Sequence, residues 1–250
     1  MAERPFICHY STVTRRREVQ VEEDWNVAAV LLDMDGTLLD TERVYFSSLV
    51  TVLTEFGYAD VTAMCHAMIG IPGPECEAML RDRYGKHFPL ADFNRAFAVR
   101  KDEIFQEGLP LKSGTMELLE ALCAADCPMA VVTSSSRQTA DQHLSLGGIR
   151  SYFENVLTRN DVERGKPSPD LYLLAAARLG VRPQACIAIE DSNPGIAAAH
   201  GAGAIPIMVP DILQPTAETR AKCAAVVPDL HAALAMLKQR GQLGRKRPSC

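Results

Sequence analysis

Five short apolar runs are spread along the chain, and stretches with the spacing of helices separate them. The runs cover residues 27–32, 128–133, 185–189, 204–209 and 224–227. Short, continuous apolar runs are typical of strands that are buried on both faces. Pro206 places the fourth run near an edge, because proline cannot donate a hydrogen bond to a neighbouring strand. The alternation predicts a Rossmann-like three-layer α/β core, with a parallel sheet and helices on both faces.

Helices are predicted between these strands. Residues 115–122 carry leucines at helical spacing, which indicates one apolar helix face. A later helix is marked by its ends: Ser168 is a natural N-cap, Pro169 suits the first helical position, and Gly180 favours termination.

Residues 41–111 break the alternation, because they show helical patterns and no convincing strand. An apolar stripe lies within residues 46–53, and further helical patterns cover the 60s, 73–84 and 90–107. We therefore expect an all-helical insertion, which we call the cap, between the first strand and the rest of the sheet.

This pattern divides the chain into four parts. The core is expected to comprise residues 27–40 and 112–237, with the cap at 41–111. Residues 1–26 are expected to form an N-terminal extension outside the fold, and 238–250 a basic C-terminal tail.

Composition and charge narrow the possible classes of protein. The chain has 250 residues, 47% hydrophobic and 23% charged, which is ordinary for a globular protein with a sizeable core. Its net charge of -5 argues against a nucleic-acid partner, since contacts with phosphates dominate that kind of binding. No apolar stretch reaches about 18 residues, so no membrane span is expected.

Targeting signals and cysteines point to an ordinary intracellular protein. The N-terminal segment lacks the apolar centre of a secretory signal, and the eight cysteines are scattered without a C-x-x-C pair. We expect reduced cysteines, no zinc site and a cytoplasmic location. The sequence indicates no oligomeric state.

The first predicted strand ends in two carboxylates, Asp33 and Asp35, followed by Gly36. Residues i and i+2 of an extended chain point to the same side. Two like charges this close favour a hard cation with oxygen ligands between them. Gly36 allows a sharp turn immediately afterwards.

Other polar groups follow later strands or precede helices. Thr133 and Ser134 supply hydroxyls that can donate to a phosphoryl oxygen, and Lys166 is a compact positive charge. Glu190 and Asp191 can complete a magnesium shell. Each group alone is more often a turn, a helix cap or a surface loop. In this order, at strand ends and helix starts, they indicate one site, because ligands bind beyond the carboxyl ends of parallel strands.

These residues resemble the motifs of the haloacid dehalogenase superfamily over about residues 27–237. The segment DMDGTLLDTE, residues 33–42, is similar to the first motif almost letter for letter. Matches to the second, third and fourth motifs follow in order: Ser134 (with Thr133 as a close rival), Lys166, and Glu190 with Asp191. The helical cap is similar to the type-1 cap of the β-phosphoglucomutase and phosphoglycolate phosphatase branch.

The resemblance implies a magnesium-dependent phosphatase. Asp33 would attack phosphorus to form an aspartyl-phosphate, and Asp35 would protonate the leaving oxygen and then deprotonate water. Ser134 or Thr133, together with Lys166, would hold the phosphoryl oxygens. The cap would close over the site and exclude water.

The same resemblance implies a set of Mg2+ ligands. They would be Asp33, the backbone carbonyl of Asp35, and Asp191, with Glu190 either as a ligand or as a support behind the ligands. The cap would set the substrate through Glu42, Tyr45 and residues 69–75. A small phosphorylated metabolite, such as a sugar phosphate or a phosphoglycolate-like monoester, fits the limited volume better than a phosphoprotein.

Three alternatives remain at this point. A dehalogenase proper lacks the second aspartate, so Asp35 argues against it. A phosphosugar mutase is the runner-up, although Tyr45 and Gly73 stand about where the mutases have a histidine and an arginine. A non-catalytic member of the fold would be expected to have lost one of the motif residues. The histidines, among them His143 and His200, lie at no motif position and are assigned no role.

Overall fold

The computed structural model describes residues 27–69 and 73–239. The predicted N-terminal extension, residues 70–72 of the predicted specificity loop, and the predicted tail beyond residue 239 lie outside the described residues.

The core is a parallel sheet of six strands in the order β3-β2-β1-β4-β5-β6. The strands are β1 (Ala29–Leu32), β2 (Met129–Val132), β3 (Asn155–Leu157), β4 (Cys186–Glu190), β5 (Ile205–Met208) and β6 (Ala225–Val226). The predicted parallel α/β fold is confirmed, and all five predicted strands are present. The strand that the sequence did not reveal is β3, a three-residue edge strand too short to form an apolar run.

The cap consists of helices that follow β1 directly. They are α1 (Thr41–Glu55), α2 (Val61–Met68), α3 (Gly73–Tyr84) and α4 (Leu90–Gln106). Their apolar faces meet in a separate cluster that includes Val52, Leu53, Cys65, Leu80 and Phe93. The two connections to the core run side by side, since the Asp40 amide donates to the Pro110 carbonyl at 2.8 Å and the Lys112 amide to Leu38 at 2.9 Å.

The remaining helices cover the two faces of the sheet. They are α5 (Thr115–Ala124), α6 (Arg137–Leu146), α7 (Asp170–Arg178), α8 (Asn193–Gly201), α9 (Ala217–Lys222) and α10 (Leu230–Gln239). Alternate strand residues serve different faces: Leu32 and Val131 pack with α5, α6 and α10, whereas Leu31 and Ala130 pack with α7 and α8. This alternation produces the three layers and leaves the carboxyl ends of the strands at one edge.

Two predicted boundaries differ from the structure. Helix α7 begins at Asp170 with Pro169 as its N-cap, because the Ser168 hydroxyl hydrogen-bonds the Asp170 carboxylate at 2.8 Å instead of a backbone amide. Helix α10 continues to Gln239, inside the segment predicted as tail. Strand β5, which contains Pro206, lies next to the edge strand β6, as expected for a strand near an edge. Within the described residues, no helix has the length and apolarity needed to cross a membrane.

Candidate active site

The carboxyl ends of β1, β2 and β4 bring together residues that are far apart in the sequence. Asp33 follows β1, Thr133 follows β2, and Glu190 is the last residue of β4. Because β1 pairs with β2 on one side and β4 on the other, these positions are neighbours. Lys166 reaches the same place from the loop before α7. The structure thus brings Asp33, Lys166 and Glu190 into direct contact.

Lys166 is held by all three of its ammonium hydrogens. Its Nζ donates to Asp33 Oδ1 at 2.5 Å, to Glu190 Oε1 at 2.5 Å and to the Val132 carbonyl at 2.8 Å. The side chain is only 4% exposed. Burial opposes the charge on Lys166, but Asp33 and Glu190 outweigh it and raise its pKa. Lys166 therefore stays protonated and fixes the orientation of the Asp33 carboxylate.

Glu190 accepts hydrogen bonds at both carboxylate oxygens and is fully buried. Besides Lys166, Tyr172 donates from its hydroxyl to Oε1 at 3.0 Å. Ser192 donates to Oε2 from its amide at 3.1 Å and from its hydroxyl at 2.9 Å. A side chain at Gly195 would overlap the Glu190 carboxylate, so this helix start admits only glycine. The four hydrogen bonds favour Glu190 as the support of Lys166.

Asp191 lies beside the turn that follows β1. Its Oδ1 accepts from the Thr37 hydroxyl at 3.1 Å. Gly36 has a φ of +82°, and a Cβ at this position would collide with Asp191 Oδ2. Glycine is therefore required twice here, for the left-handed backbone and for the close approach of Asp191.

The acidic groups of this site have the chemistry of a divalent cation site. Ligand oxygens of Asp33, Glu190 and Asp191 lie within 4.8 Å of one another. Burial raises the pKa of Asp33 to about 8, with Glu190 also raising it and Lys166 opposing. Burial, Asp33 and Glu190 raise the pKa of Asp191 well above its usual range. When all three carboxylates are ionised, one ammonium group leaves two negative charges uncompensated, which suits Mg2+ and its preference for oxygen ligands.

Asp35 points to a different set of partners. Its Oδ2 accepts from the Ser135 hydroxyl at 2.7 Å, and its Oδ1 lies 3.1 Å from Nδ1 of His143. Thr133 Oγ1 is farther from Oδ2, at 3.5 Å, and accepts from the Ser135 amide at 3.0 Å. Sequence reasoning identified Asp35 but missed Ser135 and His143. The available signal was that His143 lies on the same helical face as the apolar Ala140 and Leu144.

The two predicted phosphate-binding hydroxyls differ in environment. Thr133 is buried and its oxygen is engaged in the loop that holds Ser135. Ser134 is exposed at the carboxyl end of β2. The accessible hydroxyl therefore belongs to Ser134, the predicted match to the second motif.

Glu42 begins the cap in the first turn of α1 and is half-buried. Burial raises the pKa of Glu42, and so do the Asp211 and Asp35 carboxylates, whereas Lys112 lowers it. A cavity of about 470 Å³ opens among the cap helices. Its lining includes Glu42, Tyr45, Met68, Asn94, Phe93 and Phe97. The predicted specificity residues Glu42 and Tyr45 thus share one largely apolar cavity.

Known proteins resemble this chain in sequence and in fold. A family model described as haloacid dehalogenase-like hydrolase matches residues 30–209. A phosphorylated carbohydrates phosphatase of Thermotoga maritima is 31% identical over 175 residues, 70% of this chain and 81% of that protein. A fructose-1-phosphate phosphatase of Escherichia coli is 34% identical over 186 residues, 70% of this chain and 93% of that protein. A crystal structure of a hydrolase from Deinococcus radiodurans, with bound phosphate and sodium, has a TM-score of 0.77 at 30% identity and covers 89% of this chain and 100% of that one.

Proposed function

The chain belongs to the haloacid dehalogenase-like hydrolases, and we propose that it is a Mg2+-dependent phosphatase of small phosphate monoesters. The contact of Lys166 with both Asp33 and Glu190, beside Asp191, carries the proposal. This contact fixes the orientation of the Asp33 carboxylate at the carboxyl end of the sheet, beside the oxygens that could bind a divalent cation.

Asp33 is the proposed nucleophile. One oxygen of its carboxylate attacks phosphorus while the bond from phosphorus to the ester oxygen breaks. Asp35 enters this step protonated and gives its proton to the departing ester oxygen, so the alcohol leaves neutral. The products are the free alcohol, an aspartyl-phosphate on Asp33 and an ionised Asp35.

In the second step Asp35 acts as a general base. Its carboxylate takes a proton from a water molecule while the water oxygen bonds to phosphorus. The bond between phosphorus and the Asp33 oxygen breaks, inorganic phosphate leaves, and Asp35 is again protonated. One side chain serves both steps, because the group that leaves and the group that enters occupy the same side of phosphorus.

The metal would be held by the Asp33 and Asp191 carboxylates, and we expect the backbone carbonyl of Asp35 as a third protein ligand. When bound, Mg2+ supplies positive charge that offsets the negative charge of the phosphoryl group. Lys166 keeps Asp33 oriented, and any contact of Lys166 with a phosphoryl oxygen shares or replaces one of its three present hydrogen bonds. Ser134 donates to a phosphoryl oxygen from the exposed end of β2.

The proposed substrate is a sugar phosphate or a phosphoglycolate-like monoester. The cap cavity, with Glu42 and Tyr45 in its lining, offers room for a leaving group of this size. Relatives named for phosphorylated carbohydrates and for fructose 1-phosphate support this class. The Deinococcus radiodurans structure contains bound phosphate, which supports a phosphorylated ligand for this chain as well.

The test measures phosphate release from a panel of sugar phosphates, phosphoglycolate and 4-nitrophenyl phosphate, with Mg2+ and with EDTA. We expect release that requires Mg2+ and is lost in Asp33→Asn. Asp82→Asn, at an exposed position on α3, is the matched control and is expected to match the wild type. A protein that releases no phosphate but isomerises a sugar phosphate in the presence of a bisphosphate would contradict the proposal and favour the mutase.

A further inference from the structure

His143 lies in contact with the carboxylate to which the proposed mechanism assigns both proton transfers. Its Nδ1 is 3.1 Å from Oδ1 of Asp35, and its side chain is only 3% exposed. An ionised carboxylate can only accept hydrogen bonds, so Nδ1 carries the hydrogen when Asp35 is ionised. We propose that His143 is a positioning residue that holds Asp35 in the orientation needed for proton transfer. The inference rests on the proposed function, since it concerns the acid–base group of that reaction.

The Asp35 carboxylate is held at both of its oxygens. Ser135 donates to Oδ2 at 2.7 Å, and His143 lies at Oδ1. Two partners on different oxygens fix the plane of a carboxylate, whereas one partner leaves it free to rotate about χ2. Asp35 needs this restraint, because it stands in a turn after β1 and 24% of its side chain is exposed.

His143 is itself held by rigid surroundings. It projects from α6 on the face where Ala140 and Leu144 are fully buried. The ring of Phe105, from the last cap helix, meets the imidazole edge-to-face with centroids 5.0 Å apart. Because the His143 imidazole is held between α6 and α4, its Nδ1 has little freedom to move. It therefore fixes the orientation of the Asp35 carboxylate.

Substitutions of His143 distinguish a positioning role from a purely structural role, in which the side chain only fills space. An apolar side chain of similar size would fill the space between α6 and Phe105 without a nitrogen directed at Asp35. His143→Leu therefore removes the donor and keeps most of the packing. His143→Asn keeps a donor near the position of Nδ1, whereas His143→Gln places its donor farther out, near the position of Nε2.

The readout is kcat/KM on two kinds of ester, with Mg2+ saturating. Alkyl phosphates, such as glycerol phosphate, need a proton on the leaving oxygen, whereas 4-nitrophenyl phosphate releases a stable anion. For His143→Leu we expect kcat/KM to fall roughly 10- to 100-fold for alkyl esters and less than about 3-fold for the aryl ester. The loss on alkyl esters would be part of the 10²- to 10⁴-fold rate enhancement that is typical of general acid–base catalysis. His143→Asn is expected to recover most of the alkyl activity and His143→Gln much less. His200→Ala, exposed on α8, is the control.

Equal losses on both esters, with no difference between the asparagine and glutamine variants, would overturn the proposal while leaving the phosphatase intact. A wild type that hydrolyses no ester would instead count against the proposed function. In that case long-range 1H–15N NMR spectra of the histidine rings still decide the positioning role. We expect Nδ1 of His143 to be protonated, with a proton resonance that moves upfield in Asp35→Ala. An unprotonated Nδ1, or a resonance indifferent to Asp35, contradicts the inference.

Discussion

Nζ of Lys166 lies 2.5 Å from Oε1 of Glu190, and the two side chains are 4% and 0% exposed. An ion pair without access to water is stable only if the remaining hydrogen-bonding capacity of both groups is satisfied. Here Lys166 uses its other hydrogens on Asp33 and Val132, and Glu190 accepts from Tyr172 and Ser192. Asp33, the proposed nucleophile, is thus anchored to a network that extends through β4 to the start of α8.

Replacing Glu190 with glutamine should destabilise the fold as well as the site. Glutamine has one acceptor oxygen, whereas four donors face the present carboxylate. The unmatched buried donors are expected to lower the free energy of unfolding by about 1–3 kcal/mol. Urea unfolding of the metal-free protein measures this, with exposed Glu154→Gln as the control. A change no larger than that of the control would show that the network contributes little.

The stabilisation by Mg2+ should depend on pH. The raised pKa of Asp33, about 8, means that the metal-free folded state binds protons more tightly than the unfolded chain. The stability contributed by this carboxyl group is complete below its unfolded pKa of about 4 and is lost as pH rises towards 8. Protons therefore compete with the metal at low pH.

We expect Mg2+ to raise Tm more at about pH 8.5 than at about pH 6, because ligand stabilisation grows with affinity. Scanning calorimetry with and without Mg2+ provides the measurement. Asp191→Asn removes a carboxylate that faces Asp33 and should abolish most of the shift. A Tm increase equal at both pH values, or retained in Asp191→Asn, would place the cation elsewhere.

Gly36 and Gly57 offer a matched pair that separates backbone strain from a steric clash. Their φ angles are +82° and +80°, but only at Gly36 would a Cβ meet another group, the Asp191 carboxylate. Each alanine substitution should cost about 1–2 kcal/mol of stability because of the left-handed backbone. Only Gly36→Ala should also weaken Mg2+ binding and activity, as measured by isothermal titration and phosphate release. Loss of activity in both variants would mean that strain alone is responsible.

The sequence predicted those parts of the fold whose signal is local. Continuous apolar runs marked five strands, and helical spacing marked the four cap helices closely. Strand β3 was missed because Asn155–Leu157 pairs with β2 through its backbone, and its side chains form no pattern. A short edge strand forms because its backbone pairs with a neighbouring strand. A local sequence pattern gives no information about this pairing.

In the candidate site, too, the sequence predicted the residues that have a local signal and missed those whose role depends on the packing of helices. Asp33, Asp35 and Asp191 stand at strand ends next to other acidic residues, so their proximity was visible in the sequence. His143 and Tyr172 come from the buried faces of helices, where they look like core residues until the rotation of α6 and α7 is known. The sequence left open whether Glu190 is a metal ligand or a support behind the ligands. Its four hydrogen bonds, one of them from Lys166, favour the second role.

Glu42 allows a test of the substrate class. It is half-buried at the cap end of the site, and burial, followed by the Asp211 and Asp35 carboxylates, raises its pKa. An acidic side chain repels a carboxylate on the leaving group, as in phosphoglycolate, but accepts hydrogen bonds from the hydroxyls of a sugar. Glu42→Gln should therefore lower kcat/KM for sugar phosphates about 10-fold, the loss of one charge-assisted hydrogen bond, and raise it for phosphoglycolate. Glu55→Gln, exposed at the far end of α1, is the control. A parallel fall on both substrates would mean that Glu42 supports the site without contacting the leaving group.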